Sequence, residues 1–211
     1  MIEALLPSLL SFALASLVIE LTPGPNMAYL AALTLSQGMR AGLAAVAGIA
    51  LGLSVYGIAA AFGLAALIDR YPLLYELLRW VGILYFLWLA WESWARETET
   101  SPHKTDGGAK AIRSAFRRGL VTNLLNPKAA IFYVAVLPGF VVAGTGSVLA
   151  QTLALSAVFV LVATATHLLV VLAASRLQRY VADPAWRQPI RRALALVLLV
   201  IAIWFTFSTA R

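Results

Sequence analysis

Along the chain, long apolar runs alternate with short clusters of charge. Six runs stand out, at about Ala4–Ser36, Ala41–Ile68, Pro72–Ala95, Phe116–Val142, Ser147–Ser175 and Ala193–Thr209. Most exceed the roughly 20 residues that span the hydrocarbon core of a bilayer. A helix satisfies all its backbone groups within one segment, so each run predicts a membrane helix. The pattern predicts an all-α polytopic membrane protein with six transmembrane helices.

Two of these runs are interrupted. The first contains Glu20-Leu21-Thr22-Pro23-Gly24-Pro25-Asn26. A proline inside a helix removes one backbone hydrogen bond, and its ring clashes with the carbonyl four residues back. Two prolines around a glycine therefore predict a break. At about 1.5 Å per residue the unbroken run would be longer than the bilayer is thick, so it must tilt, kink or include a re-entrant half. The fourth run has a second break at Asn126-Pro127-Lys128, with Pro138-Gly139 near its end. Non-helical backbone at membrane depth is tolerated only where protein or a water-filled cavity surrounds it.

Pro25 and Pro127 are 102 residues apart, and that shift lays Pro25-Asn26-Met27-Ala28 on Pro127-Lys128-Ala129-Ala130. Each half is then a broken helix followed by two more. Three crossings is an odd number, so the halves would sit inverted in the membrane, a recurring plan of secondary transporters. The expected organisation is a first three-helix repeat over 1–95, a cytoplasmic linker over 96–115 and a second three-helix repeat over 116–211, together one transporter domain.

Composition supports the membrane reading. Apolar residues make up 62% of the chain and charged residues 12%, against about 45–50% apolar in soluble domains. Mean hydropathy is +0.87. The excess apolar surface needs a lipid bilayer as its partner. The net charge of +7 comes from Lys and Arg gathered in particular loops, which fits the positive-inside rule better than a nucleic-acid-binding face. Six basic residues lie between Arg96 and Arg118, five between Arg176 and Arg192, and Arg40 follows the first crossing. In a six-crossing chain these loops share one side, the cytoplasmic one, which puts both termini outside. With no cysteine, disulfides, thiol catalysis and Cys-ligated metals are excluded. Of the two histidines, His103 lies in a polar loop, so no His-rich metal site is expected, and no cofactor. Ala13-Leu14-Ala15 looks like a signal-peptide cleavage site. Yet the first residues carry Glu3 and no basic group, so this stretch is expected to stay as a membrane segment.

Other features read as packing and anchoring. Gly48 and Gly52 form a small-xxx-small pair that lets another helix approach. Glu76 and Arg79 are spaced to pair on one helix face. Trp91 and Trp94, with Trp88 a turn earlier, fit an interfacial belt.

The chemistry concentrates at the breaks. A half-helix starting near Pro25 turns free N–H groups and a positive dipole end into the membrane, which attracts a carboxylate. Proline fits the first turn because its missing N–H would be unpaired there anyway. The half-helix before it leaves carbonyls that suit an ammonium, and Pro127 repeats the arrangement. The breaks thus offer complementary poles to a small zwitterionic substrate. The candidate contacts are Thr22, Pro23, Gly24, Pro25 and Asn26 in one half and Asn123, Asn126, Pro127 and Lys128 in the other. A charge costs roughly 2.5–3.5 kcal/mol at a membrane helix centre, so Glu20 and Lys128 must face the interior, pair or neutralise. Desolvation disfavours an ionised carboxyl, which makes Glu20 a candidate carrier of a coupling proton. Lys128 is a candidate holder of a substrate carboxylate. A structural Glu20–Lys128 ion pair is the alternative. His167 is either a proton relay or a helix–helix hydrogen-bonding residue beside Thr164 and Thr166. Asn123 and Asn126 either cap the second half-helix or touch substrate.

Thr22-Pro23-Gly24-Pro25-Asn26, followed by Gly42, Gly48 and Gly52, resembles the first part of the LysE/RhtB amino-acid exporters. Arg79-Trp80-Val81-Gly82-Ile83-Leu84-Tyr85-Phe86-Leu87 is similar to that family's third helix. Phe116 and Gly119, then Asn123-Leu124-Leu125-Asn126-Pro127-Lys128-Ala129-Ala130 and Leu137-Pro138-Gly139-Phe140, resemble its fourth. The resemblance runs in order along essentially the whole chain. It implies a multi-pass bacterial inner-membrane exporter of amino acids or small derivatives, driven by proton motive force, and not an enzyme. Members often carry Asp where this chain has Asn26, and a glycine where it has Ala90. Two other classes stay in view: an exporter of another small ion or metal cation from the same superfamily, and an intramembrane enzyme. Against the latter, Gly-x-Ser-x-Gly and His-Glu-x-x-His are absent. Glycine faces permit packing within or between chains, so the oligomeric state, a homodimer included, stays open.

Overall fold

The computed structural model describes residues 2–22, 24–63, 72–95, 108–178 and scattered positions from 189 to 203. All regular structure among them is helical. The elements are α1 (Ile2–Leu21), α2 (Pro25–Gln37), α3 (Met39–Ala61), α4 (Pro72–Ala95), α5 (Ala109–Leu124), α6 (Pro127–Ile131) and α7 (Val148–Gln178). A π-helical turn, Phe132–Val136, and a 3-10 turn, Leu137–Phe140, follow α6.

α3 and α7 are each long and apolar enough to cross a bilayer. α1 and α2 meet at a bend of 57°, and α5 meets the segment Pro127–Phe140 at 50°. Counting each bent pair as one span gives four crossings. α4 carries a shorter apolar stretch, Trp80–Trp91. The described positions from 192 to 203 are helical. The remainder of the expected sixth crossing lies outside the described residues, as do Pro23, His103 and the side chains of Arg79 and Trp94.

Both breaks fall where the prolines put them, and Pro25 and Pro127 each open a helix. Two boundaries differ from expectation. α5 begins at Ala109, within the stretch expected to be linker and before the expected start at Phe116. Ala109, Lys110, Ala111 and Arg113 are strong helix formers, and Lys110, Arg113 and Arg117 keep their charges exposed on that first part of the helix. The segment after the second break is also less regular than a half-helix. Five α-helical residues pass into the π turn and then the 3-10 turn. Pro138 has no N–H for the Val134 carbonyl, so the α pattern cannot run through it.

α3 is the hub. It packs against α2, α5 and α7, while α7 also packs against α1 and α2. Glycines set the closest of these approaches. A Cβ on Gly48 would strike the Phe116 carbonyl of α5, and one on Gly119 would strike the Ala45 carbonyl of α3. Gly57 likewise faces Ser156 of α7, whose Cβ would be 2.6 Å from an added methyl. Aromatic rings fill the interior behind the second break: Phe132 stacks on Phe159 at 3.8 Å, and Tyr133 lies parallel to Tyr56 at 5.8 Å. The outer faces of α1 and α7 expose Leu10, Leu14, Val18, Leu161 and Leu169, as helices bathed in lipid do.

Side chains tie the ends together. Ser8 Oγ donates to the Phe140 carbonyl at 2.6 Å. Gln151 makes a two-way clamp on Val142, accepting from its N–H at 2.9 Å and donating to its carbonyl at 3.0 Å. At the other end of α7, Gln178 donates to the Leu35 carbonyl at 3.3 Å. It does so beside Gly38, whose φ of +88° makes the tight turn between α2 and α3.

Because Gly48 meets rigid backbone, Gly48→Ala is expected to destabilise the protein by about 1–3 kcal/mol, the usual cost of overpacking. Gly139 has nothing within 4 Å of an added Cβ, so Gly139→Ala should stay within about 0.5 kcal/mol of wild type. Unfolding of the purified protein in mixed detergent micelles measures both.

Candidate functional site

The two breaks, distant in sequence, lie against each other. At the first, α1 ends at Leu21 and α2 begins at Pro25 with Gly24 as its cap residue. Gly24 brings no side chain to cap the amides of that first turn. At the second break the cap is present: the Asn126 Oδ1 accepts from the Lys128 N–H at 3.0 Å, which satisfies one of the orphan donors of a helix start. The expected symmetry of two open amide ends is therefore reduced. The first break offers amides; the second closes its own, and its α-helical stretch is only five residues long.

The carbonyl pole of the first break is met from within the chain. Lys128 Nζ donates to the Thr22 carbonyl at 2.8 Å. The α1 terminus leaves that oxygen without an intrahelical partner, and the ammonium from the other half takes it. Gly24 lies alongside: a Cβ there would sit 3.4 Å from Lys128 Cδ and 3.5 Å from Nζ. Thr22 Oγ1 turns back to the Val18 carbonyl at 3.1 Å.

Glu20 and His167 are both buried and face each other across α1 and α7, with Oε2 and Nε2 3.3 Å apart. The expected alternative of a direct Glu20–Lys128 ion pair is not what forms, because Lys128 is turned to Thr22. Its charge is still near enough to act on both Glu20 and His167. His167 of α7 thus meets Glu20 of α1, and not the neighbouring threonines. Thr166 donates to the Val162 carbonyl of its own helix at 3.0 Å.

A second link joins the breaks. Asn26 Nδ2, one residue into α2, donates to Asn123 Oδ1 on the last turn of α5 at 2.9 Å. Thus Glu20, Asn26, Asn123, Asn126 and His167, all buried, and the more exposed Thr22 and Lys128 gather with Gly24 about the two breaks. Pro25 and Pro127 shape it, and Pro23 lies outside the described residues. Sequence reading missed two members. Tyr56 Oη donates to the Leu124 carbonyl at 2.7 Å, on the turn freed by the second break. Tyr133, in the π turn, is buried with its hydroxyl unpartnered. Both are tyrosines in apolar runs, and no periodicity marks them. Two hollows, of about 270 Å³ by Gln37–Ala41 and Ala111–Ile112 and about 520 Å³ between α1 and α7, lie away from the cluster.

Discontinuous helices that meet at a polar site recur among secondary transporters. The family model for LysE type translocators matches residues 17–209. The chain belongs to that family. It is 34% identical over 135 residues to a leucine efflux protein of Enterobacter sp. (strain 638). It is 29% identical over 131 residues to a homoserine/homoserine lactone efflux protein of Salmonella typhimurium. These alignments cover 62% of this chain and 62% and 63% of those relatives. An uncharacterized membrane protein of Escherichia coli (strain K12), YahN, is 36% identical over 115 residues, 54% of this chain and 52% of that one. The chain thus aligns with less than two thirds of the length of the curated relatives it matches. No solved structure matches it. This member of the LysE type translocator family is a multi-pass membrane protein.

The Asn126 cap gives a local test. Asn126→Ala is expected to lower stability by about 1 kcal/mol, whereas Asn126→Asp, which still caps, should retain most of it. Paired unfolding curves in micelles report the difference.

Proposed function

We propose that this protein exports a small amino acid or amino-acid derivative across the bacterial inner membrane by a secondary, proton-coupled mechanism. The observation that carries the reading is the meeting of the two helix breaks around Lys128 and the Glu20–His167 pair, in a member of a translocator family. Relatives named for leucine and for homoserine efflux support the substrate class. Among the described residues no three His, Cys, Asp or Glu side chains come together, which leaves an exported metal cation without support in the site.

In this reading six crossings form two inverted three-helix repeats, residues 1–95 and 116–211, joined by a cytoplasmic linker at 96–115. The basic loops face the cytoplasm and both termini lie outside. Thr22 to Asn26 and Asn123 to Lys128 line the substrate path. Lys128 exchanges the Thr22 carbonyl for a substrate carboxylate, and the open amides at the start of α2 add to that pole. Glu20 and His167 share and release the coupling proton. No step makes or breaks a covalent bond, so the protein is a transporter and not an enzyme.

The test is uptake of a radiolabelled amino-acid panel into inside-out vesicles. Lys128→Ala is expected to slow transport of the accepted substrate at least about tenfold, the effect of losing roughly 1.4 kcal/mol of interaction. Glu20→Gln and His167→Gln should retain exchange of internal for external substrate while losing acceleration by an imposed proton gradient. Equal rates in wild type and all three variants would sink the assignment.

A further inference from the structure

The amide pair Asn26–Asn123 carries a feature that export alone does not explain. Asn26 is 7% exposed and Asn123 is fully buried. One hydrogen bond joins them, from Asn26 Nδ2 to Asn123 Oδ1. That leaves Asn26 Oδ1 and Asn123 Nδ2 buried with no hydrogen-bond partner in the protein. Turning both amides over exchanges the orphans but not their kinds: the bond then runs the other way, and one donor and one acceptor still stand unmet. An unsatisfied buried polar group costs about 1–3 kcal/mol, and native proteins hold few of them.

The orphans are complementary and adjacent. They sit on the two half-helices that flank the breaks, one on the first turn of α2 and one on the last turn of α5. Their placement is also held from behind. An added Cβ on Gly52 of α3 would lie 2.7 Å from Asn123 Nδ2, so glycine at that position is what gives the Asn123 amide its room.

We propose that this amide pair is the reader of the substrate's head group: the unmet amide oxygen accepts from the α-ammonium and the unmet amide nitrogen donates to the α-carboxylate. The inference rests on the export reading above and deepens it. The head group is then recognised by neutral amides that span both halves of the protein. Lys128 supplies charge to the carboxylate, and the substrate side chain is left to other walls. A ligand with both an ammonium and a carboxylate on one carbon satisfies both orphans together. A ligand with one of the two leaves a buried group unmet, and sites built on such groups reject the incomplete analogue strongly.

The experiment is competition against uptake of the accepted radiolabelled amino acid into inside-out vesicles. The competitors are the parent amino acid, its methyl ester, which lacks the carboxylate, and the matching carboxylic acid, which lacks the ammonium. Wild type is expected to bind the parent at least tenfold better than either analogue. In Asn123→Asp, an isosteric change that removes the amide donor, parent and carboxylic acid should both weaken about tenfold while the ester does not. Gly52→Ala, which displaces the Asn123 amide without altering its chemistry, should reproduce the loss of preference for the parent over the ester. Purified Asn123→Asp running as a monodisperse peak in detergent shows that it folds. If folded Asn123→Asp weakens all three competitors equally, the amides are structural and the head-group assignment fails alone. If wild type carries no amino acid at all, the export reading and this inference fall together. If Asn123→Asp does not fold, Gly52→Ala decides by the same ratio of parent to ester.

Discussion

Everything in this structure follows from one constraint: a helix broken inside a membrane must find partners for the backbone groups that the break sets free. At the first break the freed carbonyl is that of Thr22, and its partner is the Lys128 ammonium at 2.8 Å. That bond places the second break against the first, and with it the Asn26–Asn123 link. It also settles where the positive charge of the core lies, and so leaves the Glu20 carboxyl to His167 on α7. The glycines of α3 serve the same end. Helices that must share freed groups have to come close: Gly48 of α3 and Gly119 of α5 permit backbone contact between those two helices, and Gly52 of α3 leaves room for the Asn123 side chain.

Much of this was legible in the sequence, because its signals are local and strong. Proline forbids a helix interior, so the breaks at Thr22–Pro25 and Asn126–Pro127 fall where expected. α4 matches its expected bounds of Pro72–Ala95. The start of α5 is hard to read because clustered charge marks loops and solvated helix ends alike. Lys110 and Arg113 are helix formers first, and at the head of α5 their charges stay exposed. The turns after α6 were hidden for a different reason. A π turn is a compromise among helix continuity, the packing of Phe132 and Tyr133 against Phe159 and the missing donor at Pro138. Only the last of these shows in the sequence.

The partners at the site were the least legible part. Glu20, Lys128 and His167 declared themselves as charges or titratable groups in apolar runs. Which of them would pair was beyond the sequence, since that depends on how α1, α6 and α7 are rotated about their axes. Spacing along the chain does not fix rotation between helices distant in sequence. Tyr56 and Tyr133 were missed on the same ground: an aromatic residue in an apolar run looks like packing until its hydroxyl is seen against the end of a broken helix.

The two breaks are alike in cause and unlike in dependence. Asn126 caps the second break from within, through the Lys128 N–H, and the Asn126 carbonyl takes the Ala129 N–H at 3.1 Å. Its helix start is settled by residues that are neighbours in sequence. The first break has Gly24 where a capping side chain would be, and its carbonyl partner comes from 106 residues away. The second break can therefore keep its local bonds whatever the first does, whereas the first keeps its own only while the second lies beside it. Two equal, self-sufficient breaks would have no such dependence on each other. Here the Lys128 ammonium joins them. In the export mechanism proposed above, a carboxylate that took the ammonium would free the Thr22 carbonyl, so the first break is where occupancy of the site would be felt.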